Sequence, residues 1–164
     1  MNELQLPRLI SNHMVLQRNK EIHIWGRDLP GHRVMVSFRG EEAVAQTDEE
    51  GNFSLFLPKQ EAGGPFSMLF RDDLGNEEVV GDVYIGEVWF CSGQSNMELP
   101  MSRVKDRFPE DVKDCKNTQL RTFKIRENGV FTAPLTEPES GEWKSAQPET
   151  ILEFSATGYY FAKA

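Results

Sequence analysis

Between Met14 and Tyr84 apolar and polar residues alternate in short runs, and turn residues break the pattern roughly every ten positions. The runs are Met14 to Gln17, Glu21 to Trp25, Arg33 to Phe38, Ala43 to Thr47, Phe53 to Leu57, Phe66 to Phe70 and Glu77 to Tyr84. Successive side chains of a strand point to opposite faces, so Val34, Val36 and Phe38 share one face and Phe53, Leu55 and Leu57 share another. The breaks are Leu29-Pro30-Gly31, Arg39-Gly40-Glu41, Glu50-Gly51-Asn52, Gly63-Gly64-Pro65 and Leu74-Gly75-Asn76. There Gly and Asn supply positive φ, and Pro forbids a place in a central ladder. The pattern predicts an antiparallel β-sandwich over residues 1–83.

After residue 84 the texture changes. The run from Val83 to Cys91 is almost continuously apolar and predicts a strand over Gly86 to Cys91, buried on both faces in a separate, mostly parallel sheet. Cys91 would lie inside that strand. A small polar loop, Ser92-Gly93-Gln94-Ser95-Asn96, follows it, and open α/β sheets hold their ligands just beyond the carboxyl ends of strands. Pro100 and Pro109 then interrupt a helical stretch, with a helix starting at Pro109 and acids in its first turn. Leu120 to Ile125 predicts another strand, residues 126–149 a long proline- and acid-rich connection, and Ile151 to Ala164 a helix. The expected fold is mixed β and α/β, with residues 84–164 the start of a second domain.

Composition narrows the function. A content of 38% hydrophobic residues in 164 fits a globular chain, and a formal charge of -8 repels a phosphate backbone, so nucleic acid is not an expected partner. No run approaches the roughly 18 apolar residues of a membrane span. The first residues lack the basic start and apolar middle of a signal peptide, which predicts a cytoplasmic chain, or an exported one whose signal has been removed. The two cysteines, Cys91 and Cys115, have neither the density of a disulfide scaffold nor the spacing of a zinc site, and both are read as reduced. Asp72-Asp73-Leu74-Gly75-Asn76 lacks the ligand spacing and terminal Glu of a calcium loop, so no metal and no cofactor are expected.

Ser95 stands out by position. A serine hydroxyl attacks a carbonyl only when a base takes its proton and donors receive the oxyanion, and a serine after a Gly-permitted turn can offer its own N–H for the second task. Gln94 and Asn96 flank it as candidates for the substrate or oxyanion loop. The other reading of Gly-Gln-Ser-Asn is an ordinary turn.

The flanks favour the first reading. The continuous segment Gly86-Glu87-Val88-Trp89-Phe90-Cys91-Ser92-Gly93-Gln94-Ser95-Asn96-Met97-Glu98-Leu99-Pro100-Met101 resembles the nucleophile block of the sialate O-acetylesterase family, a branch of the SGNH hydrolases. The resemblance extends to Ile10 through Arg18, Pro30-Gly31, Leu120 through Lys124 and Phe154 through Ala162, in family order along nearly the whole chain. It implies a β-sandwich leading into a flavodoxin-like α/β/α hydrolase domain that removes acetyl groups from sugars such as sialic acid, with Ser95 as nucleophile. Leu99 departs from the Trp frequent in the family, which bears on substrate preference.

The resemblance also implies an Asp and a His, with further oxyanion donors, from segments beyond the Phe-Ser-Ala-x-Gly helix. The sequence has histidine only at His13, His23 and His32, all in the expected sandwich. Glu98 is explained equally well as an acid in a helix's first turn. The expectation is an incomplete site, inactive in this chain alone, acting on an O-acetylated carbohydrate once completed. Unpaired apolar surface would lead the chain to self-associate, to pair with a completing chain, or to be disordered after about residue 100. The competing function is a non-catalytic β-sandwich module that binds carbohydrate or a partner chain.

Overall fold

The computed structural model describes residues 4–126, 133 and 137–164. The chain is mostly β, with a mixed sheet and few helices, and it divides into two compact units. Of the described residues, the first holds 4–88, 133 and 137–140, and the second holds 89–126 and 141–164.

In the first unit each alternating run becomes a strand: β1 (Val15–Gln17), β2 (Ile22–Arg27), β3 (Arg33–Phe38), β4 (Glu41–Gln46), β5 (Asn52–Leu57), β6 (Gly63–Asp72) and β7 (Glu77–Gly86). One sheet has the order β1-β7-β6-β3-β4, and β2 pairs with β5 in a second. All pairings are antiparallel except β1 with β7, which makes the larger sheet mixed. Alternation decides burial. In β2 and β5 the pairs Ile22↔Leu57 and Ile24↔Leu55 are buried, while His23↔Phe56 and Trp25↔Ser54 lie on the opposite face. Val34, Val36, Phe38, Met68, Phe70 and Val83 are almost fully enclosed, each burial of such a side chain being worth about 1.5–3 kcal/mol.

Two turns of this unit share the pattern Asp-x-x-Gly-Asn. Asp48 Oδ1 accepts the N–H groups of Glu50 (3.0 Å) and Asn52 (2.7 Å), and Asp72 Oδ1 accepts those of Leu74 (2.9 Å) and Asn76 (2.8 Å). Gly51 and Gly75 provide the positive φ each turn needs. These bonds hold both carboxyls below the usual carboxylate range, the Asn52 backbone leading for Asp48 and the Asn76 side chain leading the lowering for Asp72 against its burial. The acidic tip at Asp72 is thus a turn brace. Asp28 is different: it is 6% exposed, neither carboxylate oxygen has a hydrogen-bond partner of good geometry, and burial pushes its pKa up.

The second unit contains α1 (Ser95–Glu98), a 3-10 turn at Met101–Arg103, α2 (Pro109–Lys113), β8 (Asn117–Phe123), β9 (Trp143–Ala146), a 3-10 turn at Ile151–Glu153 and α3 (Ala156–Lys163). Met101, Cys115, Ala146, Ile151, Phe154, Ala156 and Tyr159 form its core. β8 and β9 are antiparallel, with Phe123 opposite Trp143. The expected connection over 126–149 therefore contains a strand at Trp143–Ala146, while its residues 127–132 and 134–136 lie outside the described residues. The expected terminal helix is shorter than its periodicity suggested. Ser155 caps α3 by accepting the Gly158 N–H at 3.1 Å, which sets the start at Ala156.

The expected strand over Gly86 to Cys91 requires correction. β7 ends at Gly86, and residues 87–94 belong to no strand. Phe90 is 91% exposed and Cys91 is exposed, not buried. A strand needs a neighbour for its N–H and C=O groups, and none of the described strands lies beside this segment. Its first two residues are instead held by side chains. The Val88 N–H donates to Gln17 Oε1 (2.9 Å), and Glu87 accepts from Gln17 Nε2 (3.1 Å) and Arg18 Nε (2.5 Å). Both contacts, Gln17 foremost, lower the Glu87 pKa.

Candidate active site

Ser95 opens α1, preceded by Gln94 in a non-helical conformation. The helix lasts four residues because Leu99 precedes Pro100, and a residue before proline is pushed into extended geometry; Leu99 has ψ 111°. Gly93 packs closely on the helix, since a Cβ there would lie 3.1 Å from Met97 Cβ and would crowd it.

The turn is clamped from the start of α3. The Ala156 N–H donates to the Leu99 carbonyl (2.8 Å), the Met101 N–H to the Phe154 carbonyl (2.9 Å), and Thr157 Oγ1 to the Asn96 carbonyl (3.0 Å). Pro100 and Ser155 form an antiparallel bridge, and Ser155 Oγ lies 3.4 Å from Met97 Sδ. Phe154, Ser155 and Thr157 were given no role on sequence grounds. The signal was present in the serine three residues before Gly158, a capping pattern at the head of an apolar helix.

The side chains of Gln94, Ser95 and Asn96 are exposed, and none has a hydrogen-bond partner among the described residues. Ser95 Oγ is thus a free hydroxyl on a rigid turn. The first N–H groups of any helix lack intrahelical acceptors, so the start of α1 presents donors beside it. Beside the turn lies an apolar hollow of about 230 Å³, walled by Trp89, Cys91, Met97, Thr157 and Phe161, with Trp89 edge-on to Phe161 at 5.2 Å.

The second unit, which holds Ser95, contains no histidine. His13 Nδ1 is 2.6 Å from Asp82, His32 Nδ1 is 2.6 Å from Asp73, and His23 Nε2 is 2.8 Å from Ser54 Oγ, all within the first unit. The His32 contact is the main reason the Asp73 carboxyl lies below its usual range. Glu98 faces Lys124 at 3.6 Å. Deeper in the second unit, Asp111 accepts from Lys163 Nζ and from Tyr160 Oη (2.8 Å), which depress its pKa, Lys163 most. Burial, with Asp111 adding to it, pushes Tyr160 up to about 12. Among the described residues no group of three or more His, Cys, Asp or Glu could hold a metal ion, and no helix is long and apolar enough to cross a membrane.

No family model matches the chain. Mouse sialate O-acetylesterase is 31% identical over 126 residues, which is 71% of this chain and 23% of the mouse protein. The human sialate O-acetylesterase is 33% identical over 105 residues, 58% of this chain and 20% of that protein. The crystal structure of a carbohydrate acetylesterase from Xanthomonas citri matches with a TM-score of 0.92 and 38% identity, over 98% of this chain and 36% of that one. The chain therefore spans less than a quarter of the curated relatives' length. From these likenesses the chain belongs to the sialate O-acetylesterase family.

Proposed function

We propose that this chain carries the nucleophile end of a serine carbohydrate O-acetylesterase, with Ser95 as the attacking residue and Gln94 and Asn96 lining the oxyanion and substrate loop. In this reading residues 1–83 are a β-sandwich, and residues 84–164 are the first part of an SGNH-type α/β/α hydrolase domain. The observation that carries it is the unengaged Ser95 hydroxyl on a turn fixed by contacts of Leu99 and Asn96 to α3 and of Met101 to Phe154 just before it. A nucleophile held on a rigid turn loses little freedom on reaching the transition state.

The chemistry is acyl transfer. Ser95 Oγ attacks the acetyl carbonyl carbon as a base takes its proton, the bond between the acyl carbon and the sugar oxygen breaks, and that oxygen leaves with the proton as the sugar hydroxyl. Water then releases acetate from the acetyl-serine. No cofactor takes part. The base is the missing element: no histidine follows His32 in the sequence, and each of the three present has a hydrogen-bond partner within the first unit. A hydroxyl without an adjacent base is almost wholly protonated at neutral pH. The residues 1–164 by themselves are accordingly inactive, and the Asp–His pair comes from sequence outside them.

The test compares this chain, a longer chain that includes the Asp and His segments, and the longer chain with Ser95→Ala, on an aryl acetate and an O-acetylated sugar. The longer chain should turn over both, and Ser95→Ala should lower kcat by about 10³-fold or more. Ser95-dependent turnover by the short chain would overturn the assignment of an external base.

A further inference from the structure

The outer face of the β2–β5 sheet carries rings where a solvent-facing sheet surface ordinarily carries polar side chains. His23 stacks on Phe56 with centroids 4.6 Å apart and planes 15° apart, and on Trp25 at 5.0 Å and 28°. Three rings thus form one stack across two strands, with His23 at its centre and its plane fixed by Ser54 Oγ. The end member Phe56 is 58% exposed.

Beside the stack is a hollow of about 200 Å³ in which His23 forms one wall and Leu16, Ile22 and Val88 supply apolar ones. Its polar groups are Gln17 and Glu21. Gln17 is held rigidly by its bonds to Val88 and Glu87. Glu21 is exposed and has no hydrogen bond or ion pair among the described residues. Cross-strand ring pairs alone stabilise a sheet, but that role requires neither a hollow nor a free carboxylate.

These features suit a sugar. Aromatic faces attract the C–H face of a pyranose, and a carboxylate accepts hydrogen bonds from hydroxyl pairs. The volume is below the roughly 300 Å³ at which pockets begin to hold drug-sized ligands, which matches a single ring. Charge selects among sugars at this hollow: the Glu21 carboxylate that lines it repels a carboxylated one. We propose that the hollow and the ring stack form a carbohydrate subsite in the first unit, which takes a neutral pyranose of a glycan chain. The proposal rests on the carbohydrate reading of the function and extends it from the acetyl-bearing sugar to the chain that carries it.

The test is titration of the isotopically labelled 164-residue chain with cellohexaose, xylohexaose and mannohexaose, and with sialyllactose as the carboxylated control, following amide shifts. At least one neutral hexasaccharide should bind with a Kd of millimolar order or tighter, shifting His23, Trp25, Ser54, Phe56 and Val88. Phe56→Ala should weaken binding by about tenfold, while Phe56→Tyr keeps it. Glu21→Gln, which leaves the fold untouched, should weaken the neutral ligand and narrow its advantage over sialyllactose. Ser95→Ala should leave binding unchanged, so failure here is separate from failure of the esterase reading. No shift from any neutral hexasaccharide at about 10 mM, equal binding of sialyllactose, or binding that survives Phe56→Ala would overturn the subsite.

Discussion

In the first unit every alternating run finds a neighbouring strand, whereas the longest apolar run of the chain, Val83 to Cys91, splits in two. Val83 and Ile85 are enclosed in β7 between β6 and β1, but Val88, Trp89 and Phe90 are 44%, 66% and 91% exposed. The residues are of one kind and the outcomes opposite. What differs is lateral pairing: β7 has a partner on each side, and residues 87–94 have none among the described strands. Apolar content creates a tendency to be buried, but a strand exists only where another backbone accepts and donates its hydrogen bonds.

The contrast can be broken most forcefully through the core of the second unit. Phe154→Ala should cost about 3–5 kcal/mol and remove hydrogen-exchange protection at Met101, whose amide donates to the Phe154 carbonyl, and at Ala156, whose amide donates to the Leu99 carbonyl beside it. If amides of β3 and β6 lose protection equally, the two units unfold as one. Hydrogen exchange on the unaltered chain tests the pairing argument directly. Amides of β7 should exchange orders of magnitude more slowly than those of residues 89–94, and slow exchange throughout 89–94 would reveal a pairing partner.

Smaller effects sharpen the comparison. Asp28→Asn should stabilise the first unit by about 1 kcal/mol at neutral pH, a rise of several degrees in Tm. Because burial raises the folded-state pKa of Asp28, its ionisation costs stability as pH rises through that value; the gain from Asn should vanish in acid, where the carboxyl is already neutral. Asp111→Asn has the opposite sign. The Asp111 pKa is depressed by Lys163 and Tyr160, so its contribution is present above the ordinary carboxylate range and lost as pH falls through the depressed value. The partly exposed pair should be worth at most about 1 kcal/mol at neutral pH, read as a pH-dependent difference in melting. Least of all, Phe90→Ser should change stability by no more than about 0.5 kcal/mol, because nearly all of that ring is already in water.

What was legible around Ser95 and in the turns rests on local signals. Pro100 writes the end of α1 into the segment that holds Ser95, as Asp48 to Asn52 and Asp72 to Asn76 write their braced turns. The clamp on the Ser95 turn was not legible. Thr157 lies 61 positions from Asn96, and nothing in either residue names the other. The ring stack was equally hidden: the alternation marked His23 as facing outward, but Phe56 becomes its neighbour only through the register of β2 on β5.

The sequence by itself therefore determined the strands of the first unit, the position of Ser95 and the family, because side-chain alternation, turn chemistry and a contiguous motif act over a few residues. Only the tertiary structure decided that the apolar run stops being a strand at Gly86, that Trp143–Ala146 forms one, and that Asp28 is buried without a good partner. Each of those depends on which distant backbone or side chain arrives beside a residue, and that is set by packing across the whole unit, not by local preference.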